Sequence, residues 1–241
     1  GAFHLAGGVA DTVHIAKWDG AAWTALGTGM DDIVRALAVA PDGTLYAGGR
    51  FHLAGGVADT VHVAKWNGTV WSPLTTGTDD EVRAIAVAPD GTIYVAGEFH
   101  LAGGVANTVH IAKWNGTAWS ALDVGTDVGV FALAVDQANN VYAGGSFTNV
   151  SGIANADRIA KWSGTAWSAL GTGIGTGSVY SLSLAADGSL YAGGSFSDAG
   201  GVTAARIARW NGSAWSALGI GVNVTIFTTA LSADGSVYVG G

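Results

Sequence analysis

"VHVAKWNGTVWSPL", Val61 to Leu74, carries two tryptophans five residues apart around an Asn-Gly step. Short runs rich in Val, Trp and Thr on either side of Asn67-Gly68 read as a β-hairpin, since an Asn-Gly step readily takes positive φ. The tryptophan pair returns as Trp18 with Trp23, Trp114 with Trp119, Trp162 with Trp167 and Trp210 with Trp215, first members 48 residues apart throughout. Five such periods nearly exhaust the 241 residues. Self-similarity at this period marks a repeat architecture, in which each unit buries its apolar face only against a neighbour.

Working outward from the hairpin, "VRALAVA" (34–40) alternates, "PDGT" (41–44) supplies turn chemistry and "LYAGGRF" (45–51) forms a second strand. A loop rich in Gly and Ala leads to the third strand, 61–66, and the fourth, 71–74. Four strands per period predicts an all-β, five-bladed β-propeller with four-stranded antiparallel blades. The blades are expected at 33–75, 82–123, 130–170, 178–218, and 225–241 with 13–27, within a single domain spanning 1–241. The last blade is shared because "SVYVGG" (236–241) reads as a second strand and "GAFHLAGG" (1–8) as the loop that follows one. Pairing of N- and C-terminal strands is therefore expected to close the ring. A helical solenoid would need a 3.6-residue apolar spacing, which is missing, and an open β-solenoid would need capping repeats. Repeat four gains one residue before Tyr191 and loses one after it, changes that loops tolerate.

The hairpin motif "IAKWNGTAWSAL" (111–122) together with "NVYAGGSFTNVSG" (140–152) resembles a family of bacterial secreted repeat proteins that combine IAKWNGxxWxxLG with GxVYAGGxF. All five repeats carry the resemblance. It implies a β-propeller in an extracellular or cell-surface setting and implies little about activity. The first three copies depart from the pattern by placing His where Thr, Ser or Arg is usual.

Composition agrees with the repeat: 49% hydrophobic, 12% charged, 39 glycines and 10 tryptophans suit strands joined by tight turns. A net charge of -8 with no local Lys/Arg cluster argues against nucleic acid. Zero cysteines remove disulfides, thiolate nucleophiles and thiolate metal ligands, and leave the redox compartment open. No run approaches the roughly 18 apolar residues of a membrane span, and residues 1–20 lack a basic segment followed by a hydrophobic one. A soluble chain is expected, with any export signal already removed.

Differences among the repeats locate candidate sites, because positions the framework does not dictate are free to vary. Near the start of each first strand stand Arg35, Arg83, Phe131, Tyr180 and Phe227. In a propeller these would line the central channel, two cations and three aromatic rings suited to an anionic or sugar-like ligand. The competing reading is that they only plug or rim the channel. The ten tryptophans are assigned to packing between blades rather than to sugar stacking, because every repeat keeps both.

Histidines pair ten residues apart as His4 with His14, His52 with His62, and His100 with His110. Acidic residues lie nearby: Asp31 and Asp32, Asp79, Asp80 and Glu81, then Asp127. His52, His62, His100 and His110 with these carboxylates could form a zinc or nickel site, or a pH-sensitive charge cluster. Against this, Arg158 and Arg206 occupy the His62 position in later copies, and Thr148 and Ser197 the His52 position, which suggests a solvent-facing polar slot. No cofactor is expected unless those histidines hold a divalent metal.

The chain lacks HExxH, GxSxG, GxxxxGK[ST] and DxDxDG patterns, and "GTGIGTGS" (171–178) opens no helix. The leading reading is a non-catalytic, lectin-like binding or adhesion module for a glycan or protein partner. The alternatives are a metal-binding or hydrolytic propeller using the His and Asp groups, and a structural or engineered scaffold without a ligand.

Overall fold

The Asn67 hairpin forms as the repeat predicts, with Trp66 opposite Trp71. The Asn67 Oδ1 accepts the N–H groups of Thr69 and Val70 at 2.9 Å each, and Gly68 takes φ 101°. An Asx turn thus sets the register, and Gly68 supplies the conformation that a Cβ would oppose. Asp19, Asn115 and Asn211 make the same turn in their repeats.

The computed structural model describes residues 1–241 and contains strands but no helix. Its contacts divide it into two units, residues 1–87 with 91–121, and residues 88–90 with 122–241. The first unit opens with a short hairpin, β1 (Lys17–Trp18) and β2 (Trp23–Thr24). One four-stranded antiparallel sheet follows from β3 (Val34–Val39), β4 (Leu45–Gly49), β5 (Val63–Trp66) and β6 (Trp71–Pro73), in spatial order β3-β4-β5-β6. A second repeats that order with β7 (Val82–Val87), β8 (Ile93–Gly97), β9 (Ile111–Trp114) and β10 (Trp119–Ala121).

The second unit contains β11 (Val130–Val135), β12 (Val141–Gly145), β13 (Ile159–Trp162) and β14 (Trp167–Ala169), again a four-stranded sheet. Next come β15 (Val179–Leu184) and β16 (Leu190–Gly194), a small hairpin β17 (Asp198–Ala199) with β18 (Val202–Thr203), and then β19 (Ile207–Trp210) and β20 (Trp215–Ala217). The sheet here runs β15-β16-β19-β20, so the loop between second and third strands carries its own hairpin. The chain ends with the pair β21 (Thr228–Leu231) and β22 (Val237–Gly240).

Both tryptophans of each repeat serve the framework. Their rings meet at 5.2 to 5.4 Å between centroids, tilted, in all five repeats. The second indole also reaches the preceding repeat: Trp71 Nε1 donates to Leu26 O, Trp119 to Leu74 O, Trp167 to Leu122 O and Trp215 to Leu170 O, at 2.8 to 3.0 Å. A buried indole therefore fills the seam between consecutive sheets and satisfies its donor there. Gly103, at φ +58°, lies against this ring: a Cβ there would stand 2.5 Å from Trp119 Cδ1. Phe51, Phe99, Phe147 and Phe196, just after the second strands, are fully buried.

The closed ring that the sequence leads one to expect is not shown: β1 pairs with β2, and β22 with β21, as two separate two-stranded sheets. In the complete sheets the third strand is four residues long and pairs with the second strand along its length. Without that neighbour β1 contracts to two residues, since an edge strand loses half its backbone bonding. Four four-stranded antiparallel sheets are formed, the repeated unit that the sequence predicts.

Candidate functional site

Each first strand of a complete sheet carries an extra residue near its start. Val34 lies opposite Gly49 and Ala36 opposite Gly48, which leaves Arg35 without a cross-strand partner. The same shift isolates Arg83, Phe131 and Tyr180. Such a β-bulge turns the extra side chain away from the sheet faces. The bulge also accounts for the second glycine of each "GG" or "AG" pair: a Cβ on Gly49, Gly97, Gly145 or Gly194 would come within 2.0 to 2.3 Å of a first-strand-side carbonyl oxygen. Phe227 precedes β21, its N–H bonded to Gly240 O at 2.8 Å, and its side chain is exposed.

The five expected ligand residues thus fall into two groups. In the first unit, Arg35 Nε pairs with Glu81, Arg83 Nη2 lies 3.4 Å from the other Glu81 oxygen, and Arg83 Nε lies 3.3 Å from Glu98 Oε1. Two guanidinium groups face two carboxylates, so the patch is close to neutral. Each half-exposed pair is worth at most about 1 kcal/mol after solvent screening. In the second unit, Phe131 and Tyr180 stack at 5.6 Å with 17° between their planes, and Tyr180 meets Phe227 at 5.5 Å and 44°. The sequence located both groups and missed what neutralises the first. Glu81 was read with the histidine-side acids and Glu98 was not read at all. The Gly-Gly pair opposite Arg35, Phe131 and Tyr180, Ala-Gly opposite Arg83, was the signal for the bulge.

The histidine pairs also come together, with ring centroids 5.6 Å apart for His4 and His14, 5.1 Å for His52 and His62, and 5.4 Å for His100 and His110. No group of three or more metal-ligating side chains is assembled around them. The solvent-facing reading of the second position is corrected: His62 and His110 are buried, at 8% and 6% exposure. Their backbones are left-handed, φ 60° and 61°, as are Arg158 at 61° and Arg206 at 70°. His62 Nδ1 lies 2.9 Å from Thr78 O, sixteen residues on. A carbonyl only accepts, so the proton sits on Nδ1. Arg158 Nη1 donates at 3.0 Å to Ile174 O, also sixteen residues on. His62 and Arg158 thus present a donor to the equivalent carbonyl from a left-handed backbone, whereas Arg206 Nη1 donates to Phe196 O at 3.2 Å and His14 Nδ1 lies 3.1 Å from Gly1 O.

The neighbouring acids hold backbone. Asp31 Oδ1 accepts the N–H groups of His52 and Leu53, and Asp79 Oδ1 those of His100 and Leu101, at 2.8 to 2.9 Å. Asp127 repeats this with Thr148 and Asn149, and adds the Thr148 hydroxyl at 2.7 Å. Burial alone pushes the Asp127 carboxyl up, but its hydrogen bonds from Thr148 and Asn149 outweigh this and hold it below the usual carboxylate range. Within the loops, buried Thr60 and Thr108 each accept an Ala N–H at 2.8 Å and donate to a Val carbonyl at 2.7 Å. These contacts lock the loop after the second strand to the entry of the first, so the bulged residues stand beside rigid loops.

Comparison with known proteins agrees with this geometry. A β-propeller domain of unknown function, DUF5122, matches residues 88–110, a turn, a second strand and the loop after it, and residues 185–212, which run on through the third strand β19. No curated protein matches the chain. Among solved structures, the extracellular domain of a one component system from B. thetaiotaomicron is similar at 13% identity with TM-score 0.58, over 90% of this chain and 27% of that one. PorZ, a bacterial surface component of the type-IX secretion system of Porphyromonas gingivalis, gives 13% and 0.54, over 87% and 31%. Virginiamycin B lyase from Staphylococcus aureus gives 12% and 0.52, over 86% and 62%. The chain therefore spans about a quarter to under two thirds of the length of these proteins, and the likeness is one of fold. Repeated four-stranded sheets, the matched segments and these neighbours together define a β-propeller repeat protein.

Proposed function

We propose that the protein is a non-catalytic binding module that presents Arg35 and Arg83 in one unit, and Phe131, Tyr180 and Phe227 in the other, to a glycan or protein ligand outside the cell. The observation that carries this is the bulge: four repeats build the same backbone device and place Arg on it twice, Phe once and Tyr once. Packing would favour one residue type at all four, as it does for the tryptophans. Compensated arginines favour a neutral, hydroxyl-rich ligand over a free anion, since Glu81 and Glu98 already occupy much of the guanidinium bonding capacity. Exposed Phe227 and half-buried Phe131 and Tyr180 supply flat apolar faces for the same class. An extracellular or cell-surface place in a bacterium is supported by the B. thetaiotaomicron and PorZ likenesses.

Glycan-array screening, followed by titration of the best hit, tests the reading. Phe227→Ala with Tyr180→Ala should weaken that hit about tenfold or more, roughly 1.4 kcal/mol, with the melting temperature nearly unchanged for the exposed Phe227 single variant. Binding that ignores all five residues would refute it. A melting shift with zinc that disappears in the double variant His62→Ala, His110→Ala would move the site to the histidines.

A further inference from the structure

We infer that Asn67, Asn115 and Asn211 are self-modifying sites, where the hairpin turn activates its own side-chain amide and converts asparagine to aspartate or isoaspartate without another protein. Each is followed by glycine, and each lies in an exposed turn between paired tryptophans. The electrophile is the amide carbon, and the turn polarises it. Asn67 Oδ1 accepts the N–H groups of Thr69 and Val70 and the Thr69 hydroxyl, each at 2.9 Å. Asn115 Oδ1 takes the same three donors from Thr117 and Ala118, and Asn211 Oδ1 from Ser213 and Ala214, at 2.8 to 3.0 Å. When a nitrogen adds to Cγ, negative charge develops on that oxygen. Donors already aimed at it stabilise the transition state as an oxyanion hole does.

The nucleophile is the next backbone nitrogen. The N–H groups of Gly68, Gly116 and Gly212 bond to no protein group, and a Cβ at these glycines would meet nothing within 4 Å. Neither a hydrogen bond nor a side chain shields the nitrogen, and attack within one residue step needs no encounter between separate reactants. The Gly68 nitrogen loses its proton to solvent and bonds to Asn67 Cγ. The Cγ–Nδ2 bond breaks, and that nitrogen leaves as ammonia. Water then opens the cyclic imide: cleavage at Cγ gives aspartate, and cleavage at the backbone carbonyl gives isoaspartate, with the chain now running through the side chain.

The first repeat shows how the aspartate product sits. Asp19 occupies this slot, and its Oδ1 accepts the N–H groups of Ala22 and Ala21 at 2.8 Å each, bonds that hold its carboxyl below the usual carboxylate range. Aspartate therefore keeps the turn, and each conversion adds one negative charge to a hairpin tip. Isoaspartate inserts a main-chain carbon between Trp66 and Trp71, which stand opposite each other, and so disturbs their register.

Incubation of the whole chain in mildly alkaline buffer, folded and in urea, followed by peptide mapping for the amide-to-acid mass gain, tests this. Asn67, Asn115 and Asn211 should convert about fivefold or more faster in the folded chain than in the unfolded one. Asn149, whose Oδ1 accepts the Gly152 N–H but whose next residue is Val150, should stay intact in the folded chain. Thr69→Ala removes one donor and should slow Asn67 about threefold, while Asn115 in the same molecule keeps its rate. Thr69→Ser, the arrangement that Ser213 has in the last hairpin, should keep the rate of Asn67. Asn67→Asp should melt with the parent. Slower conversion in the folded chain than in urea overturns the inference, since the turn would then protect the amide. So does a Thr69→Ala chain, folded by circular dichroism, in which Asn67 converts as fast as before.

Discussion

Residues 13–26 and 61–74 are nearly the same sequence, yet one hairpin is built into a sheet and the other is not. Trp71 is 4% exposed and bonded to Leu26 O, whereas Trp23 is 39% exposed. β5 has four residues and β1 has two. The difference teaches that the hairpin code is local but burial is supplied by the neighbour. A repeat contributes about half of each interface it needs, and the preceding repeat contributes the rest.

The comparison breaks most visibly at the tryptophans. Trp119→Ala should destabilise the chain by about 3–5 kcal/mol, the usual cost of emptying a buried aromatic site, while Trp23→Ala should cost about 1 kcal/mol or less. Urea denaturation of the two variants reads the contrast, and equal losses would mean that the terminal hairpin is as well packed as the internal ones.

A smaller effect is expected at the glycines beneath those rings. Gly103→Ala puts a methyl against buried Trp119 at a left-handed φ, and should cost about 2 kcal/mol. Gly7→Ala makes the same clash with Trp23, and an exposed ring can swing aside, so only the backbone cost of about 1 kcal/mol should remain. Melting temperatures of the pair test this.

The loop latch should yield less still. His62→Ala removes the donor to Thr78 O and should cost about 1 kcal/mol, the net worth of one hydrogen bond, while His62→Arg should restore most of it, as Arg158 does in its own repeat. Failure of Arg to rescue would break the equivalence of the two slots.

Last is Asp127, whose folded-state pKa is depressed. Its stabilisation is present above the ordinary carboxylate value of about 3.9 and is lost as pH falls through the lower folded value. Asp127→Asn should therefore lower stability slightly at neutral pH, leave it nearly unchanged at strongly acid pH, and so flatten the acid limb of a stability profile measured by denaturation across pH.

Much of this was legible in the letters. The tryptophan spacing, the Asn-Gly and Asp-Gly turns and the alternating apolar runs located four complete sheets within a residue or two. The five variable positions were found by comparing repeats; in the structure Arg35 and Arg83 share Glu81 in one unit, and Phe131, Tyr180 and Phe227 meet in the other. The His62 slot was misjudged because exchange with arginine looks like exposure. In fact the left-handed slot serves a donor to one carbonyl both as buried His62 and as half-buried Arg158. The bulges went unread because a double glycine in a strand has several explanations, and only the approach of the Ile33 and Glu81 carbonyls to Gly49 and Gly97 selects one.

The sequence by itself determined the strands, their turns and the order in which each sheet is assembled, since these depend on contacts within one period. Only the tertiary structure decided that Arg35 and Arg83 are neutralised and that His62 latches a loop. Those outcomes depend on which groups meet beyond one hairpin, 46 residues apart for Arg35 and Glu81 and 16 for His62 and Thr78, where backbone approach and burial, rather than local preference, set the energy.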